Sequence, residues 1–236
     1  MMDRTSEMSP LFKARMGGAC WLMCFLTSIF PLMVSGRLVV PRDAAATATN
    51  LLAHETLFRS GTAVLLISTA FYIAATLFIY EVLKPVNRSL SLLAAFFSLV
   101  GCAVGALSCI FDLAPFVLLS GAQYLSVFTV EQLQALALMF LKVRPQANNI
   151  GLVFFGLHCL GVGYLILRST FLPRLVGALM VFAGLGWVTF LSPPLANSLA
   201  PCNMLPGAIG ELSLTLWLLV KGVNIQRWNE QASLGR

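Results

Sequence analysis

The chain has 236 residues, of which 58% are hydrophobic and only 10% are charged, whereas soluble globular domains carry about 25% charged residues. This composition excludes an ordinary soluble domain and indicates a protein that resides in a membrane. The formal charge of +6 requires no nucleic-acid partner, because membrane orientation and contact with anionic lipid headgroups explain a basic excess.

Six apolar stretches, separated by more polar segments, are each long enough to cross a hydrocarbon core of roughly 30 Å as a helix. They are residues 17–35, 61–83, 89–112, 149–167, 174–192 and 205–223. A lone helix satisfies its own backbone groups in lipid, and the sequence lacks the short alternating strands of a membrane barrel. The sequence therefore predicts an all-α fold, a six-helix transmembrane bundle.

The first apolar stretch has features of a signal peptide, because it follows a basic leader and ends in small residues. It is nevertheless longer than the apolar part of a signal peptide, which spans about 7–15 residues, and cleavage would leave an odd number of spans. We predict that it remains as the first transmembrane helix. The domains are then a cytoplasmic N-terminal segment at 1–16, one membrane domain at 17–223 and a cytoplasmic tail at 224–236.

Two segments between the spans predict amphipathic helices on the outer face. Asp43 can cap a helix near 43–58. Thr129 and Gln132 have the spacing of a capping box, and apolar residues recur at helical intervals until Pro145, which is expected to end a helix at 129–143. This second helix is either a lid over an outer cavity or an interfacial helix that rests on lipid or on the bundle.

Basic residues are distributed unevenly between the two sides of the predicted membrane domain. Ten of the 15 lysines and arginines fall on the side that carries both termini, so the positive-inside rule places both termini in the cytoplasm. The three helices that end on this side each carry an aromatic residue one turn before a basic residue, a pattern typical of anchors at the membrane interface. These interface anchors are Tyr80 with Lys84, Tyr164 with Arg168, and Trp217 with Lys221.

The cysteines indicate neither a metal site nor a cofactor. Five of the six lie within predicted spans, where cysteine behaves as a small hydrophobic residue, and only Cys202 lies outside. The sequence contains no CxxC motif and no Cys/His spacing of a zinc site. We expect no metal, no cofactor and no disulfide framework.

Polar residues inside the spans are better indicators of a site, because burying them in lipid is costly. In the third stretch Gly101, Gly105, Ser108 and Asp112 share one helix face. The residues on this face are small, except for the carboxylate at its end. The two glycines form a GxxxG pattern, which permits a close contact between helices. Asp112 is therefore a candidate site residue near the outer boundary of the membrane.

His158 and Glu211 are the sharpest pair of candidate residues. They lie about ten and about six residues from the outer ends of their helices, so their side chains can meet in the outer half of the bundle. Two interpretations remain open. The pair fixes helix packing only, or it forms a ligand or proton site that Asp112 can join.

The stretches VVPRDAAATATN, LKPVNRSLSLLAAFFSLV, EQLQALAL, GLVFFGLHCLGVGYLILRSTFLPRLVG and GELSLTLWLLVKGV resemble, in this order, the bacterial membrane family of domain of unknown function 4386. The resemblance covers nearly the whole chain. It implies a six-span protein of the bacterial cytoplasmic membrane with no established activity. His158 falls in the FFGLHC motif and Glu211 in GEL, whereas Arg42 and Tyr72 stand where family members often have glycine and aspartate.

Three classes of function remain open at this point. A structural, sensory or accessory membrane component would use the polar residues to join helices. A binding or transport protein for a small molecule or a proton would use them to line an outward-facing pocket. An intramembrane enzyme is disfavoured, because no GxSxG, HExxH or comparable motif is present and no catalytic residue can be assigned. Membrane lipids are the expected partners, and one sequence does not determine the oligomeric state.

Overall fold

A computed structural model describes residues 8–234, and within this range it contains ten α-helices, two short 3-10 helices and no strand. The α-helices are α1 (Pro10–Leu38), α2 (Ala44–Ala53), α3 (Glu55–Leu83), α4 (Arg88–Ser108), α5 (Ile110–Leu118), α6 (Val130–Arg168), α7 (Arg174–Val188), α8 (Pro193–Leu199), α9 (Met204–Val220) and α10 (Ile225–Leu234). The 3-10 helices are Gln123–Leu125 and Thr189–Leu191. The predicted all-α fold is confirmed for the described residues.

Five helical segments of the described chain are long and apolar enough to cross a membrane. They are Pro10–Leu38, Glu55–Leu83, Arg88–Leu118, Val130–Arg168 and Arg174–Leu191. The helices α8 and α9 pass the same test together, but they are bent by 80° at the break between them. The described chain therefore has five candidate spans, or six if the bent pair is one span.

Large apolar side chains remain exposed on these helices. Leu32 in α1 is 75% exposed, Leu175 in α7 is 71% exposed and Phe182 in α7 is 60% exposed. Extended apolar surfaces of this kind are rare on soluble monomers. They are the expected outer surface of helices that face lipid acyl chains.

The helices are organised into two compact units, and the four longest helical segments contribute to both. The first unit comprises the chain up to Met23, then Phe71–Cys102 and the chain from Leu152 onward. Its fully buried side chains include Trp21, Leu165 and Met180. The second unit comprises Cys24–Ala70 and Ala103–Gly151, and its buried apolar cluster is formed by Val34, Leu38, Leu51, Phe58, Phe116 and Leu141.

The first helices differ from the sequence prediction in their bounds. Helix α1 begins at Pro10, so part of the segment predicted to precede the first span is already helical, while residues 1–7 lie outside the described chain. Asp43 caps α2 as predicted, because its Oδ1 accepts a hydrogen bond from the Ala46 backbone N–H at 2.8 Å. This helix ends at Ala53, and the predicted helix near 43–58 is therefore too long at its C-terminal end.

The predicted separate helix at 129–143 is wrong, although its start is correct. The capping box forms, since the Thr129 backbone N–H donates to Gln132 Oε1 at 2.9 Å and the Gln132 N–H donates to Thr129 Oγ1 at 3.3 Å. Pro145, however, lies inside α6, which continues to Arg168. A proline inside a helix removes one backbone hydrogen bond, here the one to the Leu141 carbonyl, at a cost of about 3 kcal/mol. Packing along a 39-residue helix outweighs that cost, so this segment is neither a separate lid nor a separate interfacial helix.

The third apolar stretch is interrupted where one continuous helix was predicted. Ser108 Oγ donates to the Gly105 carbonyl at 2.6 Å, and the Cys109 N–H donates to the Ala106 carbonyl at 3.1 Å. Hydrogen bonds of this kind, to the carbonyl three residues earlier, tighten the turn and divide the stretch into α4 and α5. A Cβ atom on Gly105 would meet no other atom within 4 Å. This glycine of the GxxxG pattern therefore does not mark a close helix contact.

Close helix contact occurs instead between α6 and α7. A Cβ atom on Gly163 would lie 2.7 Å from the Val181 nitrogen and 2.8 Å from the Gly177 carbonyl oxygen. One on Gly156 would lie 3.0 Å from the Gly184 carbonyl oxygen. The two glycines of each helix are seven residues apart, two helical turns, so they share a face. Small residues on both faces let the two backbones approach each other.

We predict that Gly163→Ala destabilises the protein by about 1–3 kcal/mol, because the added methyl group overpacks the contact between α6 and α7. Gly105→Ala is the matched control, since alanine favours the helix by up to about 1 kcal/mol and meets open space there. Thermal unfolding of both variants in detergent measures the difference. Equal stability of the two variants would contradict the proposed packing.

Candidate functional site

A cavity of about 420 Å³ lies within the second unit. Residues of α1, α3, α5 and α6 line it, and these walls differ in character. Pro31, Val34 and Leu65 contribute apolar surface, whereas Asp112 and Arg144 contribute charged groups. The volume falls within the range of about 300–1,000 Å³ that is usual for small-molecule pockets.

An ion pair forms the polar end of this cavity. Arg144 Nε lies 2.6 Å from Asp112 Oδ2, and the side chains are 25% and 9% exposed. Such a buried pair is costly to break, because removing one partner leaves an uncompensated charge. Arg144 also interacts with the Cys109 thiol, and within residues 8–234 its terminal guanidinium nitrogens donate no hydrogen bond to another oxygen. They are therefore available to an acceptor on a bound molecule.

Two prolines within helices and one glycine line the cavity. Pro31 lies inside α1 and Pro145 lies inside α6, and a proline in a helix interior leaves one backbone carbonyl without its usual donor and bends the helix. Gly61, on α3, lines the same cavity with no side chain. The two prolines therefore favour irregular helix geometry beside the cavity, whereas a Cβ atom on Gly61 would lie 3.6 Å from Val34 Cγ1, in van der Waals contact with α1.

Glu211 belongs to a different polar cluster, inside the first unit. It is buried, and its Oε1 accepts hydrogen bonds from Trp187 Nε1 at 2.8 Å and from Cys159 Sγ at 3.8 Å. Trp21 interacts with the same carboxyl group. Donors from three helices, α1, α6 and α7, therefore converge on a side chain of α9. The cluster compensates the cost of placing a carboxyl group among apolar helices.

His158 is packed among aromatic rings and a backbone carbonyl. Its Nδ1 lies 2.9 Å from the Ala94 carbonyl oxygen, at hydrogen-bond distance. Its ring centre lies 6.3 Å from those of Trp21 and Tyr72, both in edge-on arrangements. The space beside the imidazole has no room for a water-sized molecule. His158 is therefore enclosed by the described residues.

The three candidate residues are divided between the two units. Asp112 pairs with Arg144 in the second unit, whereas His158 and Glu211 belong to the first unit. The hydrogen bonds of the described residues do not join His158 to Glu211 directly, and the neighbouring Cys159 reaches the carboxyl group instead. Tyr72, one of the two residues that depart from the family pattern, lies against the His158 ring.

Sequence reasoning missed Arg144 and Trp187 as functional partners. The sequence predicts that Pro145 ends the helix at 129–143, so Arg144 is expected to lie just beyond that helix. No apolar periodicity signals that the helix continues, because residues 144–149 contain only Pro145 and Ala147 as non-polar residues. No local pattern connects Trp187 with Glu211, because the two are 24 residues apart and meet only after α7 and α9 pack.

The predicted interface anchors lie at the C-terminal ends of α3, α6 and α9, as expected from their spacing. Lys84 also has an ionic partner, since its Nζ lies 2.9 Å from Glu81 Oε2. The same carboxylate lies 2.7 Å from Lys13 Nζ. The role of these residues at a membrane interface stays a prediction. No group of three metal-ligating side chains occurs within the described part of the chain.

We predict that Trp187→Phe and Glu211→Gln each destabilise the protein and that their effects are coupled by about 0.6–1.7 kcal/mol, from the average to the maximum of measured interhelical hydrogen bonds. The control cycle pairs Glu211→Gln with Trp228→Phe, since the Trp228 indole donates to the Val82 carbonyl instead. Unfolding in detergent provides all the free energies. Additivity within about 0.5 kcal/mol in the first cycle would show that the bond carries no energy.

Comparison with known proteins identifies a relative and a family. An uncharacterized protein of Archaeoglobus fulgidus is 26% identical to this chain over 147 residues, which are 61% of this chain and 72% of that protein. No solved structure matches the chain. The model of the family described as Domain of unknown function (DUF4386) matches residues 16–222. This match spans most of the chain, so the protein belongs to the DUF4386 family.

Proposed function

We propose that this protein is a sensory or accessory component of the bacterial cytoplasmic membrane that binds a small carboxylate-bearing amphiphile in its Asp112–Arg144 cavity. The observation that carries the proposal is the cavity itself, which combines an apolar wall with a buried ion pair. Charged side chains are costly to keep among apolar helices, and such residues usually mark a functional site.

The chemistry of the cavity favours an anionic head attached to an apolar body. Asp112 takes the Nε face of Arg144, and the two terminal nitrogens can hold a carboxylate in the paired geometry that guanidinium groups favour. Pro31, Val34 and Leu65 offer an apolar surface to the remainder of the molecule. A medium-chain fatty acid has both parts, so it is the ligand class that we expect.

In this proposal His158, Glu211 and their partners in the first unit have a packing role. His158 is enclosed, and Glu211 has donors on three other helices. Neither residue lines the cavity that carries the proposed binding function. Of the two interpretations open for this pair, the packing interpretation is therefore the one that we retain.

The binding proposal predicts that laurate raises the melting temperature of the purified full-length protein in detergent, whereas dodecanol, which lacks the carboxylate, raises it less. Arg144→Gln should weaken laurate binding by at least about tenfold, because hydrogen bonds to charged groups contribute about 1.5–3 kcal/mol. Displacement of a fluorescent fatty acid measures the affinity. Arg59→Gln is the matched control, since Arg59 is exposed, pairs with Glu55 and does not line the cavity.

Asp112→Asn separates binding from folding in the same assay. Without the Asp112 carboxylate, the whole Arg144 guanidinium can bind the ligand. The affinity for laurate should therefore be unchanged or higher, even if the melting temperature of the ligand-free protein falls. Equal laurate affinity of the wild type and Arg144→Gln, with both proteins folded, would refute the proposed site.

We also propose that both termini lie in the cytoplasm, on the basis of the uneven distribution of lysine and arginine. Fusions to a reporter that is active only outside the cytoplasm should be active at positions 50, 130 and 200 and inactive at 87, 170 and 236. These positions lie in the segments between the predicted spans or at the C-terminus. Reporter activity at position 236 would contradict the six-span topology.

A further inference from the structure

A second cavity, of about 630 Å³, lies in the first unit between α10 and the segment that joins α6 to α7. Its polar surface includes Thr170, Arg174, Arg227 and Glu230, and its apolar surface includes Leu172. None of these residues takes part in the Asp112–Arg144 cavity or in the Glu211 cluster. The function proposed above therefore leaves this cavity unexplained.

The walls of this cavity are held together by specific hydrogen bonds. Gln231 Oε1, on α10, accepts from the Thr170 backbone N–H at 3.0 Å and from its hydroxyl at 3.2 Å. Trp228 Nε1, on the same helix, donates to the Val82 carbonyl at 2.9 Å. The tail beyond α9 is thus docked on the helix bundle as a helix, and α10 is a fixed wall of the cavity.

Two guanidinium groups line this cavity, and neither has a carboxylate partner among residues 8–234. Among the described residues Arg174 forms no side-chain hydrogen bond or ion pair, and Arg227 only donates to the Thr170 carbonyl at 3.3 Å. By contrast, Lys13, Lys84, Arg59 and Arg144 each lie within ion-pair distance of a carboxylate.

The opposing charge in this cavity is smaller than the basic charge. Glu230 lines the cavity, but its Oε1 accepts a hydrogen bond from Gln226 Nε2 at 3.1 Å. Two arginines against one carboxylate leave a net positive charge. An anion would therefore gain interactions here that the described protein groups do not provide.

We propose that the Arg174–Arg227 cavity binds a phosphate group. Arginine presents planar donors that match phosphate oxygens in pairs, and two arginines can hold two edges of one phosphate. Thr170 adds a hydroxyl to the same surface. The phosphate can belong to the headgroup of an anionic lipid, whose glycerol would meet Leu172, or to a soluble phosphate compound.

The test uses the full-length protein, delipidated in detergent. Bound phosphatidylglycerol or phosphatidylcholine is counted by native mass spectrometry, and inorganic phosphate and glycerol 3-phosphate are added as soluble competitors. Phosphatidylglycerol should bind more tightly than phosphatidylcholine. The double variant R174Q/R227Q should weaken binding at least about tenfold, in line with the loss of charged hydrogen bonds.

Two further variants make the test specific. Arg88→Gln is the matched control, because Arg88 is an exposed arginine that does not line the cavity. Glu230→Gln removes the opposing carboxylate and should tighten binding by roughly fivefold, about the effect of one surface charge near anionic lipid. Unchanged melting temperatures of the variants establish that they are folded.

Each outcome bears on the proposal. Displacement of the lipid by millimolar inorganic phosphate supports a site for soluble phosphate, and retention of the lipid supports a headgroup site. Binding to R174Q/R227Q as tight as to the wild type would overturn the proposal. An equal loss in Arg88→Gln would also overturn it, because the attraction would then come from the basic surface as a whole.

Discussion

A polar group placed among apolar helices must find its partner within the protein, since hydrocarbon offers none. Glu211 has donors from α1, α6 and α7, so one carboxyl group joins four helices in the first unit. Asp112 has Arg144 in the second unit. The serines and threonines of the helices follow the same constraint, as in the bond of 2.6 Å between Thr76 and Ser98. Helix packing in this protein is therefore directed by a few polar contacts, because apolar surfaces pack on lipid as well as on each other.

Small residues complement these polar contacts. Gly156 and Gly163 of α6 face Gly184 and Gly177 of α7 closely enough that a methyl group on any of them would collide with the other helix. Such an approach brings backbone atoms into van der Waals contact and replaces the hydrophobic driving force that lipid removes. The same principle explains why a GxxxG pattern is a weak predictor. Gly105 has the pattern but faces open space, because a pattern on one helix does not specify a partner.

The two cavities differ from the Glu211 cluster in how completely their charges are compensated. Glu211 has several protein donors, whereas Arg144 retains donors beyond its contact with Asp112, and Arg174 has no partner among the described residues. A ligand gains most from groups with unused hydrogen-bonding capacity, because binding then forms hydrogen bonds that folding did not form. This difference in compensation is the reason to assign ligand binding to the cavities and packing to Glu211. His158 Nε2 has no hydrogen-bond partner among the described residues, but the space beside the ring has no room for a water-sized molecule.

The sequence by itself determined the helical class, the approximate positions of the spans, the Asp43 cap, the Thr129–Gln132 capping box and the membership of the family. These features depend on hydrophobic length and on contacts between near neighbours in the chain, which a sequence displays directly. It also singled out Asp112, His158 and Glu211, because polar residues stand out in apolar spans. Only the tertiary structure decided their partners. Arg144 reaches Asp112 because α6 continues through Pro145, and Trp187 reaches Glu211 because α7 packs on α9. Contacts between distant segments depend on how helices pack, and one sequence does not show how apolar surfaces divide between protein and lipid.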